Sequence, residues 1–248
     1  IGDAIPTDNP STWGSGNLGV IFTSPGNYQI SLVSENSCGK STKTKSIYIS
    51  PIPVPSFTLN KTSVCMPDVV NITNTVNDTI PTVFNWLISC TNNACDNSNC
   101  NTGYFYTGGT TSNSKNPQIQ FTKPGIYSIT LKILSGCNPV TSLPQIVTVK
   151  NKPIASFSID SSVCISDTIS VKNINVIDCY GNIPTTYLWN SSAPSIIIPN
   201  QYAQSPSFIN TTIGINIITL SASNECGTTV VSDSLNAYLL CNKEEIIG

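Results

Sequence analysis

Histidine is absent from this sequence of 248 residues. With it goes the side chain that most often shuttles protons near neutral pH, and the one that most mixed zinc sites and nearly all catalytic ones use. Charge is scarce as well: Asp, Glu, Lys and Arg make up 10% of residues and the net charge is −2. Such a surface offers no basic stripe for nucleic acid and no polybasic patch for anionic lipid. Apolar runs are short and bounded by Pro, Gly, Asn and Ser, far below the roughly 20 residues of a membrane helix, so no membrane insertion is expected in this segment. No window keeps a helical period, and helix content should be low. Ile1 to Pro10 lack the basic and apolar regions of a signal peptide, and the sequence reads as starting inside a longer chain. Glycosidase-like chemistry needs two carboxylates facing each other across a cleft. Asp68 and Asp167 instead recur at one position of a repeat, as turn residues do, and Glu244 and Glu245 belong to a polar tail. No catalytic residue, cofactor or metal is expected.

What the chain has instead is ten cysteines. Without histidine they argue for disulfides over zinc, and so for an oxidising compartment. It also has a long internal repeat. Phe22-x-x-Pro25-Gly26-x-Tyr28-x-Ile30-x-Leu32 leads to Asn36-x-Cys38-Gly39, and Phe121-x-x-Pro124-Gly125-x-Tyr127-x-Ile129-x-Leu131 leads to Cys137. A third copy runs Phe208, Gly214-x-Asn216-x-Ile218-x-Leu220, then Asn224-x-Cys226-Gly227. Gly26 and Gly125 are 99 positions apart, as are Cys38 and Cys137; the next interval is 89 by both markers. The front of the unit recurs too: Pro53-x-x-Ser56-Phe57 with Val64-Cys65-x-x-Asp68 matches Pro153-x-x-Ser156-Phe157 with Val163-Cys164-x-x-Asp167, and Asn74 matches Asn173. Phe84-x-Trp86 and Tyr187-x-Trp189 are a further pair. The first unit has no recognisable front half, and its Trp13 segment aligns with nothing.

Tyr127, Ile129 and Leu131 alternate with Ser128, Thr130 and Lys132, the period of two that puts one apolar face on a strand. Pro-Gly before them marks a tight turn. About seven short strands in roughly 90 to 100 residues, with a Trp on a middle strand, is the rhythm of an immunoglobulin-like sandwich. The expected fold is therefore all-β: tandem sandwiches arranged end to end across stiff proline-rich linkers at Pro51–Pro55 and Lys150–Pro153. The expected units are 1–50, the C-terminal part of one sandwich; 51–149, with a Cys-rich insertion; 150–241; and 242–248, a tail or the start of another linker.

Ala155-Ser156-Phe157, Tyr187-x-Trp189, the Phe121 to Leu131 motif and Asn224-x-Cys226-Gly227 resemble the polycystic-kidney-disease (PKD) type of immunoglobulin-like domain, found in tandem in large secreted proteins of Bacteroidetes. The family's Asp-Phe-Gly-Asp-Gly after the Trp is replaced here by Leu87-Ile88-Ser89 and Asn190-Ser191-Ser192, so these are divergent members. The resemblance extends to cysteine-bearing tandem domains of gliding-motility adhesins, which implies a bacterial cell-surface location and a surface polysaccharide or glycan as partner. Asp78-Thr79-Ile80, Asp167-Thr168-Ile169 and Asp233-Ser234-Leu235 resemble the O-glycosylation signal of that phylum, with Thr79, Thr168 and Ser234 as acceptors and ordinary turn residues as the alternative. Asn-x-Ser/Thr sequons at Asn60, Asn71, Asn77, Asn190 and Asn210 would matter only in a eukaryotic host.

Cys65 with Cys137 and Cys164 with Cys226 recur in register, and pairing within each unit is the simpler expectation. Pairing between units, Cys65 with Cys226, is the alternative, because the first turn and last hairpin of a sandwich lie at opposite poles. Cys90, Cys95 and Cys100 form a stapled insertion in which one thiol must reach elsewhere, with Cys179 as its partner. Cys38 and Cys241 are left for adjacent units, unless Cys241 takes Cys164. Trp86 and Trp189 should be core. Tyr104, Phe105 and Tyr106, three aromatics in a row, must turn at least one ring outward, toward a neighbouring unit or a ligand. The expected role is a non-catalytic structural or adhesive stalk segment whose partners are neighbouring repeats of the same chain. The alternative is an accessory spacer or carbohydrate-binding region of a secreted multidomain hydrolase. Intact mass before and after reduction should count the disulfides; eight or more free thiols would overturn the extracellular reading.

Overall fold

A computed structural model describes residues 4–6, 19–76, 83–92, 100–134, 139–180 and 185–239. Every helix or strand assigned among them is a strand, and no helix is long and apolar enough to cross a membrane. The first group is β1 (Ala4–Pro6), β2 (Val20–Phe22), β3 (Gly26–Asn36) and β4 (Gly39–Ile49). β1 pairs with β2, and β3 with β4 in a long antiparallel hairpin.

The second group runs β5 (Phe57–Leu59), β6 (Ser63–Cys65), β7 (Val69–Asn74), β8 (Val83–Asn92), β9 (Tyr104–Thr107), β10 (Gln118–Phe121), β11 (Gly125–Leu134), β12 (Val140–Thr141) and β13 (Gln145–Lys150). One sheet has the order β5-β7-β10-β9. In the other, β11 pairs with β8 on one edge and with β13 and β12 on the opposite edge, and β6 runs parallel to β13. The third group repeats the plan with β14 (Ile154–Ser158), β15 (Ser162–Cys164), β16 (Thr168–Ser170), β17 (Lys172–Ile177), β18 (Thr186–Ser191), β19 (Ser195–Ile198), β20 (Ser207–Asn210), β21 (Gly214–Asn224) and β22 (Gly227–Tyr238). Here β14 pairs with β17, β16-β20-β19 form a sheet, and β15-β22-β21-β18 form the facing one. Both groups are two-layer sandwiches, each with its own buried apolar cluster.

The repeat markers are the parts that hold these cores. Tyr127, Ile129, Leu131 and Ile133 are buried, as are Ile218 and Leu220, because alternate residues of β11 and β21 face inward. Each fully buried apolar side chain contributes about 1.5–3 kcal/mol. Trp86 meets Phe57 edge-on at 5.0 Å, and Trp189 meets Phe157 at the same distance. The Ser-Phe motif of each unit thus supplies the ring that closes over the Trp. The indole N–H groups stay satisfied, Trp86 Nε1 donating to Ser114 O (2.8 Å) and Trp189 Nε1 to Ala203 O (2.9 Å).

The Pro-Gly-x-Tyr element is a tyrosine corner. Tyr127 OH donates to the carbonyl of Lys123, four residues upstream (2.9 Å), and its ring packs at a tilt against Phe121, 4.5 Å between centroids. Tyr28 repeats both contacts, with Ser24 O at 2.7 Å and Phe22 at 4.6 Å. In the third copy the position is Asn216, buried, whose Oδ1 accepts from Ser191 Oγ (2.9 Å), Ser192 Oγ (3.1 Å) and Ala193 N (3.1 Å), while Nδ2 donates to Asn210 Oδ1 (2.7 Å). An amide hub does there what the phenol does in the other two copies.

Burial pushes the Tyr127 phenol up from 10.0 to about 12, with the Tyr104 and Tyr180 phenols adding to the shift, and burial raises Tyr106 to about 12 as well. Both phenols favour the neutral form when folded. Their stabilisation is complete below pH 10 and lost as pH rises from there to about 12. Tyr127→Phe should cost about 1–3 kcal/mol in denaturant unfolding at neutral pH, the typical penalty for leaving buried acceptors unpaired. It should also flatten the loss of stability above pH 10, which far-UV circular dichroism across that range would detect.

Candidate functional site at the junction between sandwiches

The described residues bring their most unusual chemistry together where the second sandwich meets the third. β6 runs beside β13 with Cys65 opposite Lys150, and Met66 N donates to Lys150 O (3.0 Å), so Cys65 sits where the chain leaves the second sandwich. The turn between β21 and β22 comes to the same place. Cys65 and Cys226 are joined by a disulfide with a Cα–Cα distance of 5.3 Å and a sequence separation of 161. The within-unit pairings Cys65–Cys137 and Cys164–Cys226 therefore do not form. The reason is polarity. Gly125 pairs with Val149, next to the Lys150 that faces Cys65, and β11 then runs ten residues, about 30 Å at the usual strand rise, away from that end to Leu134.

Around the disulfide the linker is held from several sides. Lys150 Nζ lies 2.8 Å from Glu225 Oε1, with the lysine side chain 4% exposed and the glutamate 24%. Asn224 Nδ2 donates to Asn151 O (2.9 Å) and Asp178 Oδ1 (2.8 Å), and its Oδ1 accepts from Cys226 N (2.8 Å). Thr229 Oγ1 donates to Pro153 O. Gly227 takes a φ of 129° and Gly39 a φ of 144°, where a side chain is disfavoured, which explains the Asn-x-Cys-Gly motif. Cys38 N donates to Asn36 Oδ1 (2.9 Å) in the matching turn of the first hairpin, where the thiol is exposed and free.

In the insertion, Cys90 bonds Cys100. Cys164 and Cys179 are disulfide-bonded as well, and Cys95, Cys137 and Cys241 lie outside the described residues. The three aromatics lie on β9. Tyr104 and Tyr106 pack on the core 6.1 Å apart, and Phe105, 47% exposed, faces outward. Trp86 and Trp189 are buried and unavailable to a ligand. Asp68 is a turn residue: its Oδ1 accepts from Val69 N (2.8 Å), and Lys61 Nζ at 2.6 Å, with that backbone donor, holds its carboxyl below the usual range. Thr168 and Ser234 are exposed and Thr79 lies outside the described residues, while Asn210 is buried and closed to modification in the folded chain. Among the described residues no group of three or more Cys, Asp or Glu is placed to hold a metal.

Sequence reading found the cysteines but not Lys150, Glu225 or Asn224 as one cluster. The only signal was their nearness to a linker and to a repeated cysteine. Phe121 and Phe22 were markers without a role until the corner geometry supplied one.

Fold and junction define a class: tandem immunoglobulin-like sandwiches joined covalently. No family model matches the sequence, and no curated protein matches it. Among solved structures it is similar to a three-domain immunoglobulin fragment of titin, an E-to-A variant, at TM-score 0.51 and 12% identity, covering 86% of this chain and 75% of that one. It is also similar to the D00–D0 domain of intimin (TM-score 0.44, 12% identity, 75% and 100% covered) and to the insect immune protein hemolin (TM-score 0.41, 13% identity, 85% and 56% covered). At these identities the likeness is one of fold.

Two outcomes test the site. Cys226→Ser should release the second sandwich from the third and lower unfolding stability by up to about 5 kcal/mol in the loop-entropy account. Non-reducing peptide mapping should recover Cys65 linked to Cys226 and Cys90 linked to Cys100.

Proposed function

We propose that the chain is a structural and adhesive stalk segment that transmits tension along a long secreted bacterial cell-surface protein, an adhesin related to those of gliding motility and built from divergent PKD-type domains. Its units are 1–50, 51–149 and 150–241, with 242–248 a tail or the start of the next linker. It performs no catalysis. Its partners are the neighbouring repeats, and its distal ligand is a surface polysaccharide or glycan. Thr168, Ser234 and Thr79 are the sites where glycans would be attached, the first two being exposed.

One observation carries this reading: the bond between Cys65 and Cys226 spans two sandwiches. A tie of that kind adds nothing to a ligand pocket inside one domain. In a chain pulled from its two ends it changes the load path, because tension passes from residue 65 through the sulfurs to residue 226. The intervening residues then carry no force. Oxidising conditions, which the disulfides require, fit an extracellular site.

Single-molecule force spectroscopy on the chain held at its termini tests the reading. The oxidised chain should extend only by the residues outside the bond. Full reduction should add up to roughly 55 nm of contour length for the 161-residue separation, at the span of an extended chain. Equal extension with and without reductant would overturn the proposal.

A further inference from the structure

Strand β19 is the open edge of the smaller sheet in the third sandwich. The order there is β16-β20-β19, so β20 lies on one side of β19 and, among the described residues, no strand lies on the other. The strand reads Ser195-Ile196-Ile197-Ile198, with Pro194 before it and Pro199 after it. Its register shows which backbone groups the edge presents. Thr211 N donates to Pro194 O (3.2 Å), so these two residues form a hydrogen-bonded pair. Such pairs recur at every second residue of an antiparallel ladder. Ile196 is therefore bonded to Ile209 and Ile198 to Ser207, and the N–H and C=O groups of Ser195 and Ile197 point away from β20, out of the sheet.

The side chains alternate across the sheet in the other sense. Ile197 packs on the core opposite Phe208, whereas Ile196 is 56% exposed and Ile198 44%. Edges of this kind are guarded by charges, prolines or bulges. No charge serves here, because the chain carries no Asp, Glu, Lys or Arg between Asp178 and Glu225. The register of β19 on β20 runs without a bulge. The two prolines remain, and they delimit the open edge rather than close it, since Ser195 and Ile197 between them keep both backbone groups.

We propose that β19 is a docking edge for the β19 of a second copy of this chain, paired antiparallel about a two-fold axis at Ile196. In that register Ser195 of each copy meets Ile197 of the other, and every outward N–H and C=O of the two residues finds a partner. Moving the register by one step brings in Pro199, which has no N–H, or Ala193, whose N–H is held by Asn216 Oδ1 and whose C=O is held by Ser191 Oγ. The prolines and the Asn216 hub thus select a single alignment. Ile196 then lies against its own counterpart as a non-hydrogen-bonded pair, about 4.5 Å apart at Cα, where cross-strand side chains touch. Charge selects the occupant. A neutral isoleucine edge has nothing to offer an acidic or basic segment, whereas under a two-fold it is its own complement and brings no like charges together. The two chains run in opposite senses across the contact, which is independent of the tie between Cys65 and Cys226.

The deciding experiment uses the 248-residue chain carrying Cys38→Ser, which removes the free exposed thiol. Ile196→Cys in that background should form a disulfide-linked dimer under copper–phenanthroline, because the Cα spacing at the two-fold is one a disulfide can bridge. Val83→Cys, at a position 58% exposed in the second sandwich, should dimerise far more slowly. Sedimentation equilibrium of the chain without added cysteines should show the mass rising toward that of a dimer at high concentration. Ile196→Lys, which sets two ammonium groups opposite each other, should weaken this association by about tenfold or more, and Val83→Lys should leave it unchanged. Both positions are exposed, so unaltered melting temperatures would show that the fold is intact. Equal cross-linking of the two cysteine variants would overturn the proposal. So would a dimer that survives Ile196→Lys, which would place the contact on another surface.

Discussion

The parallel pairing of β6 with β13 is the constraint from which the junction follows. Three residue pairs, Ser63 to Thr148, Val64 to Val149 and Cys65 to Lys150, put a cysteine from the start of one sandwich beside the residue that ends it. An antiparallel arrangement, or a shift of a few residues, would carry Cys65 away from the linker. Because β14 begins four residues after Lys150, the last hairpin turn of the next sandwich reaches that sulfur. A bond between repeats is thus a consequence of how each repeat pairs its own strands.

The polar contacts at the same place matter because so little charge is available elsewhere. A lysine that is 4% exposed is costly to desolvate, and Glu225 offsets that cost only when the two sandwiches are correctly docked. The other described ion pairs, Lys61 with Asp68 and Lys172 with Asp160, lie on the surface and add little. The Asn224 amide bonds the linker backbone on one side and Asp178 on the other. Together with the disulfide, these contacts fix both the separation and the rotation of one unit against the next. A single flexible tether would fix only the separation.

The sequence made the sandwiches legible because alternation, Pro-Gly turns and the aromatic-x-Trp pairs are local patterns with one physical meaning each. It was less informative where the meaning depends on distance in space. The repeat spacing put Cys65 and Cys137 in register within one unit but could not say that the turn carrying Cys226 meets Cys65. Nothing in the sequence near Lys150 announces Glu225, which comes 75 residues later. Asn216 in place of tyrosine reads as a weakened repeat, yet the amide rebuilds the corner with Ser191, Ser192 and Asn210. The strand equivalent to β7 is broken into β16 and β17 at Val171, beside Asn173 with its φ of 51°, a conformation no alternation pattern reveals.

The surface completes the physical picture. On the outward faces of the long hairpins, hydroxyls meet across strands: Ser31 with Thr44 at 2.9 Å, Thr219 with Ser232 at 3.0 Å and Ser223 with Thr228 at 2.8 Å. Cross-strand pairs of this kind are each worth a few tenths of a kcal/mol up to about 1. Unlike ion pairs they are indifferent to salt, since screening acts on charge. A chain with 10% charged residues, neutral hydroxyl ladders outside, apolar cores inside and sulfur at its joints draws almost none of its cohesion from exposed electrostatics. Such a construction keeps its shape across wide changes of ionic strength.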